Sequence, residues 1–425
     1  IARPTISNTA LAQVNRAIDK GDGGATIAIK RSEVDGVAGN IVAAWPGFVD
    51  TMFGIAIDIG STTVAGHLID LTTGEVMSSS GVMNPQIRFG EDLMSRVSYV
   101  MMNKGGEKEL TTVIRNAINE LVHELADKAD ITPDKILEVV MVGNPIMHHI
   151  LLGIDPTPLG AAPFVLATSE ATFGAAEELD IHLPNASFYV GPCIAGHVGA
   201  DTAAAILSEG PHRGSSMQLL IDVGTNAEIV LGDTTRQFAA SSPTGPAFEG
   251  AQLSCGQRAT AGAIEKVRID PVTFEPRFRA IGIDMWSDEP GFSEAVQDTP
   301  VTGVCGSGII EVIAEMYLAG IISQDGVVQG SLVDKSPRVV ADDRTFSYLL
   351  YENGDTKLFI TQNDIRAIQL AKAALRAGID LLVEHAGSPE VHDIRLAGAF
   401  GAHIDPTYAM VLGLVPDCPL PGVRS

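Results

Sequence analysis

Two stretches of this 425-residue chain set an aspartate at the mouth of a glycine turn: "GIAIDIGSTTVAGHLID" at 54–70 and "LLIDVGTNAEIVLGD" at 219–233. Each runs from an apolar strand through Asp, Gly and hydroxyl or amide side chains into a second apolar strand, the pattern of a β-hairpin. A turn through Gly60, Ser61, Thr62 and Thr63 gathers backbone N–H groups and hydroxyls in one concave spot, a seat for phosphate oxygens. Asp58 would repel a phosphate directly, so it serves better as a metal ligand through water. Asp222 has the same place before Gly224, Thr225 and Asn226. One D-x-G-[ST] match is more often an ordinary hairpin turn. Two matches in the same strand context favour a pair of turns clamping a triphosphate from both sides, with Asp58 and Asp222 flanking a magnesium ion.

A third glycine-rich element, "LAGAFG" at 396–401, reads as a strand-to-helix turn. Without Cβ atoms, Gly398 and Gly401 would let a flat base or ribose lie on the backbone, although close helix–strand packing explains them equally well. "CGSG" at 305–308 opens a helix whose first turn, with Gly306, Ser307 and Gly308, is either a plain cap or an anion seat. Ser254 and Cys255 offer metal-coordinating or partner-facing groups, against the simpler reading of a packed cysteine. His148 and His149 fall on a helix, where adjacent positions point to different faces and make a poor metal pair. His197 and His403 have no partner at ligand spacing.

The elements that must carry these groups alternate between strand and helix, which indicates an α/β fold. A short helix in "ALAQVNRAIDKG" and strands in "ATIAIKR" and "GNIVAAW" make residues 1–53 a small N-terminal segment or the remnant of a linker domain. The first hairpin is followed by helical spacing in "GEDLMSRVSYVMM" and "LTTVIRNAINELVHELADKA", then a buried strand in "KILEVVMVGN". The polar segment "LSEGPHRGSSMQ" separates a first subdomain, 54–209, from a second, 216–425. The second repeats the themes with a loop-rich insertion, a long helix in "QNDIRAIQLAKAALRAGIDLLVEHA" and a strand in "DIRLAGAF". The chain thus reads as an α/β unit followed by a diverged second copy.

Composition sets limits on partners. Lys and Arg number 28 against 52 Asp and Glu, a formal charge of −24, which argues against binding nucleic acid or an anionic membrane through the overall field. Phosphate must therefore be held locally. The apolar runs are broken by charge, Pro and Gly, so no membrane span is expected. Cys193, Cys255, Cys305 and Cys418 lie far apart without a Cys-x-x-Cys pair, the pattern of reduced thiols in a cytoplasmic protein rather than of a cluster. The first residue is Ile1, so the chain reads as a fragment of a longer one.

The ordered set "DIGSTTV", "MVGNPIMHHILLG", "DVGTNAEIVLG" and "LAGAFG" resembles the phosphate-one, connecting, phosphate-two and adenosine elements of the actin-like ATPase superfamily, which includes sugar kinases and heat-shock chaperones. Within it, "NPQIRFGEDLMSRV", "SSPTGPAFEGAQLSCGQRA", "CGSGIIEVIAEM" and "TQNDIRAIQLAKAA" resemble the reductive activators of corrinoid proteins. The resemblance implies an actin-like ATPase fold of two related ribonuclease-H-like subdomains around a nucleotide cleft, with the "CGSG" helix at a hinge. It implies ATP and Mg2+ as ligands and an ATP-dependent return of a Co(II) corrinoid to Co(I).

Mapped by motif, Asp58, Gly60, Ser61, Thr62 and Thr63 hold one phosphate group and the metal, and Asp222, Gly224, Thr225 and Asn226 face them. Gly398, Ala399 and Gly401 border the adenosine. Glu249 reaches the ribose or the metal's outer shell, unless it is a solvated loop carboxylate, and Glu228 orients the attacking water, unless it is merely half-buried. The implied partners are a corrinoid protein, a low-potential electron donor and a second copy of the chain. A [2Fe-2S] domain is usual in the family, yet no cysteine pattern here could hold the cluster; it is expected either before Ile1 or on a separate electron donor. A small-molecule kinase and a nucleotide-gated scaffold or chaperone share the same clamp and stand as alternatives.

Overall fold

The strand Phe53–Ile59 buries Ile55, Ile57 and Ile59 on one face, while Asp58 projects from the other into solvent. Full burial of such side chains contributes roughly 1.5–3 kcal/mol each, and the alternation fixes which face of the strand meets the core. The facing helix, Gly106–Lys128, supplies Leu110, Ile114, Ile118, Leu121 and Leu125, all essentially inaccessible. Gly66 lets that helix come close, since a Cβ there would stand 3.0 Å from Leu125 and 3.1 Å from Leu121.

The computed structural model describes residues 4–31, 39–250 and 253–424. The chain divides into two compact units, Ile1–Ala204 and Ala205–Ser425, the division falling inside the helix Ala200–Glu209. In the first unit a six-stranded sheet runs in the order Val76–Met83, Thr63–Asp70, Phe53–Ile59, Ile136–Gly143, Ser187–Val190, Thr172–Ala175. The first three strands form an antiparallel meander, and Phe53–Ile59, Ile136–Gly143 and Ser187–Val190 are parallel to one another. At the N-terminus, Thr5–Ile6, Asn40–Pro46 and Ala25–Lys30 make a small sheet with the helix Asn8–Lys20. It is tied to the first unit by Gln13 Nε2 donating to Asn185 Oδ1 at 2.7 Å and Trp45 Nε1 donating to Asp134 at 3.1 Å.

The second unit repeats the plan. Gln237–Ser242, Ala227–Gly232 and Gln218–Val223 form an antiparallel meander, and Asp393–Ala397 and Val423–Arg424 continue the sheet in parallel. Both units therefore have the same meander-then-parallel order of the actin-like fold. Between meander and parallel strands the second unit inserts two small three-stranded sheets, the helix Gly306–Leu318 and the long helix Gln362–His385. That long helix starts at a capping box, Thr361 with Asp364, and packs Ile365, Ile368, Leu375, Ile379 and Leu382 inward. At Gly378 a Cβ would stand 2.8 Å from Ile229, so the glycine admits the helix against the hairpin strand. Among the described residues, no helix is long and apolar enough to cross a membrane.

The helix expected over 90–102 begins only at Leu93, because the Asp92 side chain accepts from Ser95 N–H and caps it there. The expected strand in "DIRLAGAF" stops at Ala397. Gly398 takes φ +87° and turns the chain into the short helix Gly398–Gly401.

Candidate functional site

The first turn is held from behind. Asn84 Nδ2 donates to the Gly60 carbonyl at 2.8 Å, Asn84 N–H donates to the Thr62 carbonyl at 2.8 Å, and the Arg96 guanidinium donates to the Ser61 carbonyl through Nη2. Three successive carbonyls thus face protein donors. The Ser61, Thr62 and Thr63 hydroxyls have no hydrogen-bond partner among the described residues, and all three lie at accessible positions. A Cβ at Gly60 would stand 2.6 Å from the Thr63 carbonyl oxygen, which explains glycine there. The turn presents donors outward and hides its acceptors, as an anion seat requires.

The second turn is built differently. Thr244 Oγ1 donates to the carbonyls of Gly224 at 2.9 Å and Thr225 at 3.1 Å, and Gly245 N–H donates to the Thr225 carbonyl at 2.8 Å. The Thr225 hydroxyl donates to Glu249 Oε1 at 2.8 Å, so Glu249 is a half-buried carboxylate bound to the turn rather than a freely solvated one. Asp222 pairs directly across the hairpin with Glu228. Two carboxylates on one face at opposed positions disfavour each other unless a cation lies near, and Ser241 Oγ donates to Glu228 Oε1 at 3.1 Å. Asn226 accepts the Gly224 N–H through its backbone carbonyl at 3.0 Å.

"LAGAFG" comes to the same place. The strand Asp393–Ala397 is parallel to Gln218–Val223, with Ala397 opposite Asp222, and a Cβ at Gly398 would stand 2.2 Å from Asp222 Oδ1. At Gly401 a Cβ would meet Val223 at 3.8 Å, an ordinary contact. The side chain of Ala399 lies outside the described residues. Phe400 stacks on Phe248 of "GPAFEG" at 6.1 Å, and Gly306 of "CGSG" packs between them, since a Cβ there would stand 1.9 Å from the Phe248 carbonyl oxygen. Three motifs separated in sequence are therefore one packed cluster in the second unit. Ala251 and Gln252 of "GPAFEGAQ" lie outside the described residues.

Other expectations are reassigned. Ser254 is bound to Asp364, through N–H at 2.8 Å and Oγ at 2.5 Å, and burial pushes the Cys255 thiol up to about 12. A protonated, packed thiol is a poor metal ligand. His148 and His149 are both buried, with their Nδ1 atoms 3.4 Å apart. His149 Nδ1 turns back to donate to the Pro145 carbonyl at 2.8 Å, leaving Nε2 to accept from Ala167 N–H at 3.0 Å. Burial pulls His148 down to about 4, so it is neutral at ordinary pH. His197 packs edge-on against Phe164.

Sequence reasoning missed Asn84 and Arg96, which back the first turn, and Asp201. This aspartate begins the helix Ala200–Glu209 with its carboxyl surrounded by protein atoms, although its residue surface is partly accessible. Burial raises its pKa, against the opposing hydrogen bond from Thr202 N–H at 2.7 Å. Gly199 before it packs on Gly143, where a Cβ would stand 2.5 Å from the carbonyl oxygen, and Gly143 pairs with Ile59. Asp201 therefore stands at the same end of the sheet as the first turn, by the C-terminal ends of these parallel strands. Its signal was "GADTAAA", an acid opening a helix after a glycine turn.

Among the described residues no group of three or more His, Cys, Asp or Glu could hold a metal ion by itself. A lone carboxylate beside a phosphate seat nevertheless suits Mg2+, which keeps several waters and takes one or two protein carboxylates plus phosphate oxygens.

Residues 216–425 match the model of the C-terminal domain of RACo, the ASKHA domain, and residues 53–214 match that of the RACo middle region. The corrinoid activation enzyme RamQ of Eubacterium limosum is 36% identical over 389 residues, 88% of this chain and 62% of that protein. The Co(II) methylated amine-specific corrinoid protein reductase of Methanosarcina barkeri is 26% identical over 399 residues, 86% of this chain and 66% of that protein. A solved structure of a reductive activator for corrinoid,iron-sulfur protein matches with a TM-score of 0.83 at 28% identity, covering 100% of this chain and 65% of that one. The chain thus spans somewhat under two thirds of the length of RamQ and of that solved structure. Two consecutive family models, covering the chain from residue 53 to its end, make it a member of the RACo family, the reductive activators of corrinoid proteins, with an actin-like ASKHA ATPase domain.

Proposed function

We propose that this chain is the ATP-using part of a reductive activator that returns an inactive Co(II) corrinoid protein to Co(I). The observation that carries the reading is the pair of aspartate-fronted turns on matching meanders, in a chain of the RACo family. Gly60, Ser61, Thr62 and Thr63 take phosphate oxygens through N–H and hydroxyl donors, and Gly224, Thr225 and Asn226 do so in the second unit. Asp58 and Asp222 hold Mg2+ through its waters, which when bound neutralises phosphate charge. Gly398, Ala399 and Gly401 border the adenosine beside Asp222. Asp201, at the strand ends beside the first turn and with its pKa raised by burial, joins Glu228 as a candidate to orient and deprotonate the attacking water.

ATP is hydrolysed to ADP and phosphate, and its energy is spent on a conformational change that alters the grip on the corrinoid protein. One electron from a low-potential donor, carried either on an iron–sulfur domain of the same protein or on a separate one, then reduces Co(II) to Co(I).

The test is Mg2+-dependent ATP hydrolysis with a Co(II) corrinoid methyl carrier and a low-potential reductant, the cobalt followed by its visible spectrum. Co(I) that forms only with ATP supports the activator. Hydrolysis with no dependence of cobalt on ATP removes the redox role and favours a kinase or a scaffold.

A further inference from the structure

Arg96 is fully buried, yet every acceptor it reaches is neutral. Nε donates to the Gly90 carbonyl at 3.0 Å, Nη1 to Gln86 Oε1 at 3.2 Å and to Met147 Sδ at 3.2 Å, and Nη2 to the Ser61 carbonyl. Asp92, the acid that acts on it from nearby, is engaged in capping the helix Leu93–Met102 and forms no ion pair with it among the described residues. Burial pulls the guanidinium down only to about 10, so it remains charged at neutral pH. An unpaired buried charge costs stability and is kept out of protein interiors unless something else requires it. The turn it backs carries the accessible Ser61, Thr62 and Thr63 hydroxyls.

We propose that Arg96 is a positioning residue for the first turn: with Asn84 it locks the carbonyls of Gly60, Ser61 and Thr62 inward, and its charge makes this turn the seat of a polyphosphate's most anionic group. The inference rests on the ATP reading and adds a specific source of anion affinity to it. Among the described residues the carbonyls of the second turn are held by the neutral Thr244 hydroxyl and the Gly245 amide, with Glu249 beside them.

The decisive variant is Gln86→Glu. It sets a carboxylate where Gln86 Oε1 now accepts from Arg96, pairing the charge while keeping the guanidinium, and it gives up the bond that Gln86 Nε2 donates to the Leu110 carbonyl, which the melt reads. Arg96→Met removes the charge and the fork together, and Arg96→Lys keeps the charge alone. Dissociation constants are measured for ATP, pyrophosphate and adenosine, alongside a thermal melt for each variant. Gln86→Glu and Arg96→Met should weaken ATP and pyrophosphate by on the order of tenfold or more, leaving adenosine within about twofold. Arg96→Lys should recover part of the loss seen in Arg96→Met.

A folded Gln86→Glu protein that binds ATP and pyrophosphate like wild type overturns the proposal, even if Arg96→Met does not fold. Equal weakening of adenosine and ATP also overturns it, because a general loosening of the fold would then explain the loss. If wild type binds pyrophosphate but not ATP, the ATP reading fails while the anion seat stands. Wild type that binds neither removes both.

Discussion

The two hairpin turns share a strand plan and an Asp-x-Gly-hydroxyl sequence, but they are backed by opposite chemistry. Behind Gly60–Thr62 lie an amide, Asn84, and a buried cation, Arg96; behind Gly224–Thr225 lie a hydroxyl, Thr244, and a backbone N–H, with the carboxylates of Glu249, Glu228 and Asp222 close by. A turn backed by positive charge attracts anions; one set among three carboxylates attracts a cation. The duplication therefore did not produce two equivalent seats. The first is backed by a buried cation, and the second stands among carboxylates.

The largest expected effect concerns the first region's chemistry. Asp201→Asn should lower the kcat of ATP hydrolysis by about 100-fold or more with little change in KM. Wild-type kcat should rise with pH as Asp201 loses its proton through its raised pKa, and the variant should lose that limb. A variant with wild-type kcat would make Asp201 a structural acid, leaving both regions to bind only.

Asp58→Ala and Asp222→Ala should each lower Mg2+-dependent hydrolysis by about 10- to 100-fold. If the second turn is the metal side, raising Mg2+ should rescue Asp222→Ala more than Asp58→Ala. Equal rescue would erase the asymmetry, and undiminished hydrolysis in either variant would remove that aspartate from the metal.

Gly398→Val acts on the second region alone. At φ +87°, with its Cβ directed at Asp222, it should cost on the order of 1–3 kcal/mol. The expected reading is weaker binding of adenosine and ATP together, with pyrophosphate affinity kept. Unchanged adenosine affinity would move the base elsewhere. The smallest effect is expected from Thr244→Val, which takes the side-chain donor from the Gly224 carbonyl and leaves the Thr225 carbonyl to the Gly245 N–H, at a cost of about 1 kcal/mol. It should lower the melting temperature and spare the charge-dependent selectivity that Gln86→Glu removes; an equal loss of pyrophosphate affinity in both variants would mean that the buried charge adds nothing.

The hairpins were legible because their signal is local: alternating apolar residues, an acid and a glycine turn lie within a dozen or so positions. The same holds for the long helix with its Thr361–Asp364 box. The backing of the turns was not legible. Arg96 reaches the Ser61 carbonyl across 35 residues, and nothing in "GEDLMSRV" distinguishes a buried arginine from the exposed ones that are far more common. Asn84 likewise looked like the start of an ordinary "NP" turn. The ring contacts of His149 were not legible either, since helical spacing gives the direction of Cα–Cβ bonds, whereas Pro145 and Ala167 decide where its ring goes.

By itself, then, the sequence determined the strand-and-turn units, the acidic character of the chain and the resemblance that led to its family, because these depend on nearest neighbours along the chain or on sums over it. Tertiary structure alone decided which groups stand behind each turn, that Gly398 abuts Asp222, and that Asp201 lies by the strand ends of the first sheet. Those properties depend on which distant groups share a small, poorly hydrated space, where a single hydrogen bond or unpaired charge is worth far more than in water.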